Sequence, residues 1–99
     1  GGGFPDNLPR VIPSDLAVEL EQSTWTPLPI FQLIQERGQV APEEMYRVFN
    51  MGMGMVLFLA PGDTPTAMEI LQDAFPEGPP KAIGRVVPWD GTSPQVRLL

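Results

Sequence analysis

Two glycine-rich segments carry the residues whose types and spacing could do chemistry, and the first is Gly1–Gly3, followed by Asp6, Asn7 and Arg10. Glycine lets a backbone take positive φ and approach a ligand closely, and N–H groups ahead of a helix can bind phosphate. Arg10, one helical turn beyond Asn7, is placed to give a bidentate phosphate contact. The competing interpretation of this segment is a frayed terminus or a cloning remnant.

The second segment runs from Asn50 to Met55 and reads Asn-Met-Gly-Met-Gly-Met. It lies between a predicted helix end and a predicted strand start, so it is not a dinucleotide-binding fingerprint, which needs its glycines after a strand and before a helix. Gly52 and Gly54 are two residues apart, so an extended chain would show one face without side chains, which suits close approach by a ligand. The alternative is close packing of a neighbouring element, with Asn50 capping the preceding helix.

Several kinds of catalytic centre are excluded by composition. The chain has no His and no Cys, which removes an imidazole base, a Ser–His or Cys–His pair, a disulfide and a thiolate zinc site. The pair Glu43–Glu44 is typical of the first turn of a helix. Glu19 and Glu21 share one strand face and are expected to be solvated, although their spacing could bring two oxygens near Mg²⁺. The residues therefore identify no acid, base or nucleophile and no metal site.

Charge and hydropathy argue against a nucleic-acid-binding, membrane-spanning or disordered protein. The net charge is −6 with six scattered basic residues, which argues against nonspecific binding to nucleic acid or an anionic membrane. No apolar run approaches the ~20 residues that span a bilayer. The 42% hydrophobic content excludes a disordered tail, and thirteen prolines with ten glycines predict short elements. A soluble, cytoplasmic protein is expected.

The first half of the chain must supply the elements that position these segments. With Asp6 as N-cap, residues 7–12 are predicted to form a short helix or turn, and residues 16–21 alternate like a half-buried strand. A helix is predicted to open at Thr26–Pro27 and run to residue 37, with Gly38 as a left-handed cap. Another is predicted over residues 42–49. The buried faces predicted for these two helices are Ile30, Leu33 and Ile34, and Met45, Val48 and Phe49.

The second half contains the most hydrophobic stretch, residues 51–59, whose run without polar alternation predicts a central strand covered on both faces. A helix is predicted from Thr64 to Pro76, and a last strand over residues 82–87. Residues 89–99 show no assignable pattern. The inward face predicted for this helix consists of Ala67, Met68, Ile70, Leu71, Ala74 and Phe75.

The predicted order is helix, strand, helix, helix, strand, helix, strand, which indicates an α+β fold, a layered α/β sandwich of a mixed sheet with helices. Three strands make a thin sheet for a strand buried on both faces. The sequence therefore predicts an incomplete domain over residues 1–88 with a C-terminal tail at 89–99, and further strands from a longer chain or a partner.

Two long segments resemble one known family. Residues 1–13 read GGGFPDNLPRVIP and residues 43–59 read EEMYRVFNMGMGMVLFL; both are similar to signature segments of the AIR synthase (phosphoribosylformylglycinamidine cyclo-ligase) family. The stretch after Trp25 and residues 82–87 are similar as well. Asp6 stands where the family usually has Glu, and Met53 where Ile is common. The resemblance implies the C-terminal-domain fold of that family.

The resemblance also implies a reaction of de novo purine biosynthesis, in which formylglycinamidine ribonucleotide and ATP give 5-aminoimidazole ribonucleotide, ADP and phosphate. ATP would phosphorylate the formyl oxygen, and an amidine nitrogen would then close the ring. Such chemistry depends on positioning and on charge neutralisation by Mg²⁺, so it needs no His or Cys. In the family an N-terminal domain carries most ATP-binding residues and the dimer interface. This chain alone is therefore expected to be inactive.

Site residues follow from the resemblance by position. It implies that one loop facing the active-site cleft is formed by Gly1, Gly2, Gly3, Asn7 and Arg10. It implies that a second wall of that cleft is formed by Asn50, Gly52 and Gly54. Two alternatives stay open. One is a related ATP-using enzyme, such as formylglycinamidine ribonucleotide synthase or selenophosphate synthetase, although the FNMGMGM segment fits the cyclo-ligase better. The other is a non-catalytic interaction module whose exposed half-core binds a partner chain.

Overall fold

The computed structural model describes all 99 residues and has four helices and three short strands. This is the α+β architecture that the sequence predicts. No helix is both long enough and apolar enough to cross a bilayer. In chain order the elements are α1 (Gly3–Asn7), β1 (Leu16–Leu20), α2 (Pro29–Gly38), α3 (Pro42–Val48), α4 (Thr64–Ala74), β2 (Gly84–Pro88) and β3 (Val96–Leu98).

The three strands form one mixed sheet in the order β2–β1–β3. β1 runs antiparallel to β2, with Leu16 opposite Pro88 and Leu20 opposite Gly84. It runs parallel to β3, with Leu20 opposite Leu98. β2 begins two residues later than the predicted strand 82–87, and β3 lies within residues 89–99, for which no element is predicted. The short β1 is therefore the central strand.

Glu19 on β1 joins all three strands. Nε of Arg85 on β2 donates to its Oε1 at 2.9 Å, and Nη1 of Arg97 on β3 donates to its Oε2 at 3.2 Å. The Glu19 side chain is only 13% exposed, so the expectation that it is solvated is wrong. Register explains the difference, because Glu19 faces Arg85 and Arg97 across the two ladders. Its carboxylate is engaged by two guanidinium groups and is not free for Mg²⁺.

Replacing Glu19 by Gln should lower the free energy of unfolding by about 1 kcal/mol, because each ion pair has one largely exposed partner and such pairs contribute ~0.2–1 kcal/mol each. Urea unfolding at low and high salt measures the change, which should shrink as salt screens the pairs. Glu21→Gln is the matched control, since Glu21 is exposed and forms no ion pair. An equal loss in both variants would contradict the assignment.

The core is small and centred on three aromatic rings. Ten residues are buried, and nine of them form a single cluster. The rings of Phe4 and Tyr46 both meet Trp25 edge-on, at centroid distances of 5.8 and 6.4 Å, an arrangement that aromatic quadrupoles favour. Phe4 and Tyr46 are themselves stacked at 6.4 Å. This cluster packs α1 and α3 together and so connects the two glycine-rich segments.

The first helix begins earlier than predicted. Gly2 and Gly3 take positive φ angles of 93° and 55°, which glycine reaches without steric cost, and they turn the chain into α1 at Gly3. Asp6 therefore lies inside the helix, and its prediction as N-cap is wrong. Pro5 falls in the first turn, where no internal N–H bond is due. The chain continues into a 3₁₀ turn over Leu8–Arg10.

The bounds of α2 also differ from the prediction. The helix begins at Pro29 rather than near residue 26, because Leu28 precedes a proline and is extended, with φ −60° and ψ 149°. At the other end Gly38 stays helical, and Gln39 takes the left-handed conformation with φ 51°. The N–H of Val40 then bonds back to the last turn at 3.0 Å. Gly38 as the left-handed cap is therefore wrong.

The predicted buried faces of α2 and α3 are only partly right. In α2, Ile34 packs against the core as predicted, whereas Ile30 and Leu33 are exposed. In α3, which ends one residue before the predicted residue 49, Met45 is fully buried but Val48 is exposed. The side chains that turn inward instead are Phe31 in α2 and Tyr46 in α3.

α4 covers the rest of the molecule only loosely. Ala67, Met68 and Leu71 are half-buried, whereas Ile70 and Phe75 are exposed, so the predicted inward face is again partly right. Across the chain, twelve large hydrophobic residues are exposed, which exceeds the ten that are buried. A chain of this size does not bring enough elements to cover its own apolar faces.

Residues 51–59 do not form a strand in this chain, so the central strand predicted there is wrong. The segment pairs with no other strand, and its only regular feature is a turn at residues 51–52. No other strand of the chain reaches it, because the sheet is limited to β2, β1 and β3. Apolar composition indicates a buried strand, but pairing needs a neighbour that these 99 residues do not supply.

Candidate functional site

The two glycine-rich segments meet at one cavity of about 600 Å³, which lies between α1 and the chain that follows α3. Its volume is in the range of small-molecule sites. The structure brings five of the eight predicted site residues to its walls, and these are Gly1, Gly3, Asn7, Asn50 and Gly54. The other three, Gly2, Arg10 and Gly52, do not line it.

Gly3 makes this meeting possible. A Cβ atom at Gly3 would lie 1.9 Å from the carbonyl oxygen of Tyr46 and 3.0 Å from that of Phe49, far inside van der Waals contact. Gly3 also has φ 55°, where a side chain is strained. The missing side chain therefore lets α1 rest directly on the last turn of α3.

Asn7 holds the first segment in shape. Its Nδ2 donates to the carbonyl oxygens of Gly1 at 3.0 Å and of Gly3 at 2.8 Å. Both amide hydrogens are thereby used on the backbone, and Oδ1 is left as an acceptor. The segment is thus bonded to the fold from its first residue, unlike a frayed terminus.

Asn50 shapes the second segment in a different way. Its Oδ1 accepts a hydrogen bond from the N–H of Gly52 at 2.9 Å, and its carbonyl oxygen accepts one from Met53 at 3.0 Å. Such a side-chain turn is typical of Asn. Met51 and Gly52 both take positive φ, at 53° and 92°. The side chain of Asn50 therefore closes this turn instead of capping α3, whose C-cap is Phe49.

The two glycines of the second segment serve different needs. Gly52 has no contact closer than 4.0 Å for an added Cβ, so its requirement is conformational and comes from φ 92°. Gly54 has nothing within 4 Å and no positive φ. The alternative of close packing by a neighbouring element is therefore not what the structure shows at either residue.

The cavity is apolar and uncharged. Nine of its fourteen lining residues are hydrophobic, and no Lys, Arg, Asp or Glu is among them. Arg10 is exposed in the 3₁₀ turn after α1 and forms no ion pair. Tyr46, next to Gly3, is buried, which raises the pKa of its phenol. The walls can contact and orient a ligand, but they offer no acid or base.

The apolar part of the wall is what sequence reasoning missed. The helical stripe at residues 4 and 8 was the available signal for the first segment. It predicts side chains on a common face but does not tell which face borders a cavity, and the uniformly apolar run at residues 55–60 gives no such signal. The residues concerned are Phe4, Leu8, Val11, Val48, Phe49, Met53, Met55, Val56 and Phe58.

Two other cavities lie on the sheet. One of about 430 Å³ separates β1 and β2 from α4 and includes Gly52, and one of about 170 Å³ lies beside Glu19 and Arg85. No group of three or more acidic, His or Cys side chains is arranged to hold a metal ion. The cavity between the glycine-rich segments is therefore the candidate site.

The chain is similar to known proteins of one family over most of its length. The family model described as "AIR synthase related protein, C-terminal domain" matches residues 1–97. The phosphoribosylformylglycinamidine cyclo-ligase of Enterococcus faecalis is 49% identical over 88 residues, which are 89% of this chain. The protein of the same name from Nitrosococcus oceani is 46% identical over 88 residues, again 89% of the chain, and that from Latilactobacillus sakei is 52% identical over 68 residues, or 69%.

The chain spans about a quarter of the length of the first two of these relatives, 24% in each, and 20% of the third. The family model, in contrast, covers nearly all of the chain and includes both glycine-rich segments. This chain therefore belongs to the family of AIR synthase related proteins and lies within their C-terminal domain.

Proposed function

We propose that this chain is the C-terminal part of a phosphoribosylformylglycinamidine cyclo-ligase, which closes the imidazole ring of 5-aminoimidazole ribonucleotide at the expense of ATP. The observation that carries the proposal is the 49% identity over 89% of the chain to a protein of that name. The cavity supports the proposal, because each of the two segments that carry the family resemblance contributes one of its walls.

The properties of the cavity suggest which ligands this chain would bind in that enzyme and which the remainder of the enzyme would bind. Apolar walls with backbone and amide groups suit the neutral ribose part of the substrate. They do not fit a triphosphate, because no basic side chain lines the cavity. They do not fit Mg²⁺ either, because this chain has no carboxylate cluster. We therefore assign ATP and Mg²⁺ to the remainder of the enzyme.

Three further properties belong to this proposal. The chain alone is inactive, because it supplies one side of the site and none of the charge neutralisation that phosphoryl transfer needs. The complete enzyme is a homodimer, as the family resemblance implies. It works in the cytoplasm, where the purine pathway to which the reaction belongs would supply its substrate.

A chimera tests the function. The aligned 88 residues of the Enterococcus faecalis cyclo-ligase are replaced by those of this chain, and ADP release is followed with formylglycinamidine ribonucleotide. We expect ring closure by the chimera and none by the 99-residue chain alone. Parallel assays with formylglycinamide ribonucleotide or selenide test the two related ATP-using enzymes. A chimera that folds, by circular dichroism and sedimentation, but closes no ring would count against the proposal.

The variant Asn7→Asp, made in the chimera, tests whether the hydrogen bonds of Asn7 to the first glycine-rich segment are needed for activity. The substitution keeps the size of the side chain but replaces the NH₂ that donates to Gly1 and Gly3 with an oxygen that both carbonyls repel. Two lost hydrogen bonds at ~0.5–1.5 kcal/mol each predict a fall in kcat/KM of about 10- to 100-fold.

The matched control for Asn7→Asp is Asp6→Asn. This is the reverse one-atom change on the same helix, at a residue that does not line the cavity, and kcat/KM should stay within about twofold. A normal kcat/KM in Asn7→Asp, or equal losses in both variants, would show that Asn7 has no special part in the site.

A further inference from the structure

The cavity of about 430 Å³ between the sheet and α4, here called the α4 cavity, is enclosed on several sides by this chain itself. Val18 and Leu20 of β1 form one side of it, and Ala67, Met68 and Leu71 of α4 form another. The inward face of α4 therefore borders a space. Protein interiors contain few voids larger than a water molecule, and a space of this volume is in the range of small-molecule sites.

The walls of the α4 cavity are mostly apolar but carry charge of one sign. Fourteen of its 22 lining residues are hydrophobic, and the only charged ones are Lys81 and Arg85. No carboxylate lines it, although acidic residues outnumber basic ones twelve to six in the chain. An apolar molecule with one anionic group matches both properties, because it fills the apolar space and pairs with the cations.

The two cations have donors to give to such an anion. Lys81 is the only lysine of the chain, and its side chain forms no ion pair. Arg85 bonds to Glu19 through Nε, which leaves Nη1 and Nη2 for a carboxylate or a phosphate. Lys81 is exposed and the side chain of Arg85 is 71% exposed. Both cations therefore lie at the solvent end of the cavity, and its apolar walls lie behind them.

We infer that the α4 cavity binds a small amphipathic anion, with its apolar body between β1 and α4 and its carboxylate or phosphate at Lys81 and Arg85. The candidate site is a different kind of space, because no charged residue lines it. The two cavities share part of one wall, including Val56 and Phe58. The inference does not depend on the proposed function, and its test is read without measuring turnover.

A fluorescence titration of the chimera with 1-anilinonaphthalene-8-sulfonate tests the inference, because this dye has an apolar body and one anionic group. We expect saturable binding with a Kd on the order of 10–100 μM, the range that ligand efficiencies give for a molecule of its size. The chimera is used because it contains the rest of the polypeptide. If the 99-residue chain binds the dye and the chimera does not, that polypeptide fills the cavity and the inference is overturned.

A pair of charge reversals tests the anionic end. Lys81→Glu should weaken binding of the dye about 5- to 10-fold, since an exposed ion pair is replaced by a repulsion of similar size. Arg37→Glu is the matched control, because Arg37 is exposed, does not line the cavity and undergoes the same change of charge. Its Kd should stay within about twofold. Equal losses in both variants would reduce the effect to net charge and contradict the site.

An uncharged dye separates the two parts of the ligand. N-phenyl-1-naphthylamine has the same rings without the sulfonate, so Lys81→Glu should leave its Kd within about twofold. A parallel loss for both dyes would mean that the substitution damages the cavity itself, and the role of Lys81 in holding an anion would be wrong.

A second pair of variants tests the apolar end by filling the space. Ala67→Phe places a ring on the cavity side of α4 and should abolish binding of both dyes. Ala74→Phe is the control, since Ala74 is exposed on the same helix and does not line the cavity. Circular dichroism and the thermal midpoint show whether each variant folds, and the charge reversals decide if Ala67→Phe does not. Full binding by a folded Ala67→Phe variant would place the dye elsewhere and overturn the inference.

Competition identifies the anionic group. Octanoate and phenyl phosphate each carry an apolar body with one anionic end, and at least one of them should displace the dye. Displacement by octanoate alone indicates a carboxylate ligand, and displacement by phenyl phosphate alone indicates a phosphate ester. Displacement by neither, or equal displacement by uncharged octanol, would overturn a site for an amphipathic anion.

Discussion

Replacing Gly3 by alanine should lower the free energy of unfolding by about 2–5 kcal/mol, which combines ~1–2 kcal/mol for a side chain at positive φ with ~1–3 kcal/mol for overpacking. The added Cβ would lie 1.9 Å from the carbonyl oxygen of Tyr46. A backbone atom cannot step aside as a flexible side chain can, so α1 and α3 must separate. Urea unfolding followed by the fluorescence of the two tryptophans, Trp25 and Trp89, measures the loss. Trp25 reports on this contact because it packs against Phe4 and Tyr46.

Gly54→Ala is the control for this prediction. It adds the same methyl group to the opposite wall of the cavity, where no atom lies within 4 Å, and its unfolding free energy should change by less than about 0.5 kcal/mol. If Gly3→Ala were as stable as Gly54→Ala, the close approach of α1 to α3 would be wrong. The meeting of the two glycine-rich segments at one cavity would then be wrong too.

Replacing Met45 by alanine should cost about 2–5 kcal/mol, because Met45 is 0% exposed and its removal leaves a cavity in the only core cluster. A core of ten buried residues cannot readily absorb such a loss, since few side chains can relax into the gap. Equilibrium unfolding of the chain measures it. A change below 1 kcal/mol would place Met45 outside the core.

Met55→Ala makes a matched comparison, since the same atoms are removed from a side chain that is 82% exposed. In the 99-residue chain its unfolding free energy should change by less than about 0.5 kcal/mol. In the complete enzyme the cost should grow to about 1–2 kcal/mol, because a covering strand would bury the side chain. Equal small effects in both settings would show that the outer face of residues 54–59 remains uncovered.

These effects have a common origin in the small size of the structure. Twelve large hydrophobic residues are exposed, and only one face of residues 55–59 rests on the core. In an isolated chain such surfaces promote association. In the proposed enzyme we expect the rest of the polypeptide to cover these surfaces.

The sequence by itself predicted the α+β class, the helices α2, α3 and α4 and the position of β1, because these depend on local patterns. The short helix or turn predicted over residues 7–12 matches the 3₁₀ turn at Leu8–Arg10, whereas α1 precedes it. Apolar alternation over residues 16–21 is sufficient to indicate a strand. The prolines at positions 29, 42 and 65 lie at or next to the first residue of α2, α3 and α4, since proline is tolerated only in the first turn. The family resemblance, which the comparison confirms, also depended on local segments alone.

Helix bounds were less well predicted where two local rules competed. Leu28 shows this, because a helical pattern continued through it while the following proline held it extended. Gly2 and Gly3 show the reverse case, since their positive φ angles start α1 earlier than a side-chain cap at Asp6 would. The alternative helix starts differ little in free energy, so a sequence pattern alone does not tell which one is adopted.

Only the tertiary structure decided which residues meet. The contact of Gly3 with Tyr46, the bonds of Glu19 to Arg85 and Arg97, and the joining of β3 to β1 link residues far apart in sequence. No periodicity encodes such pairs. Residues 54–59 are the clearest case, because their composition indicates a strand while pairing requires a second strand at hydrogen-bonding distance. Local side-chain pattern determines what a segment can become, and the presence of a neighbour determines whether it does.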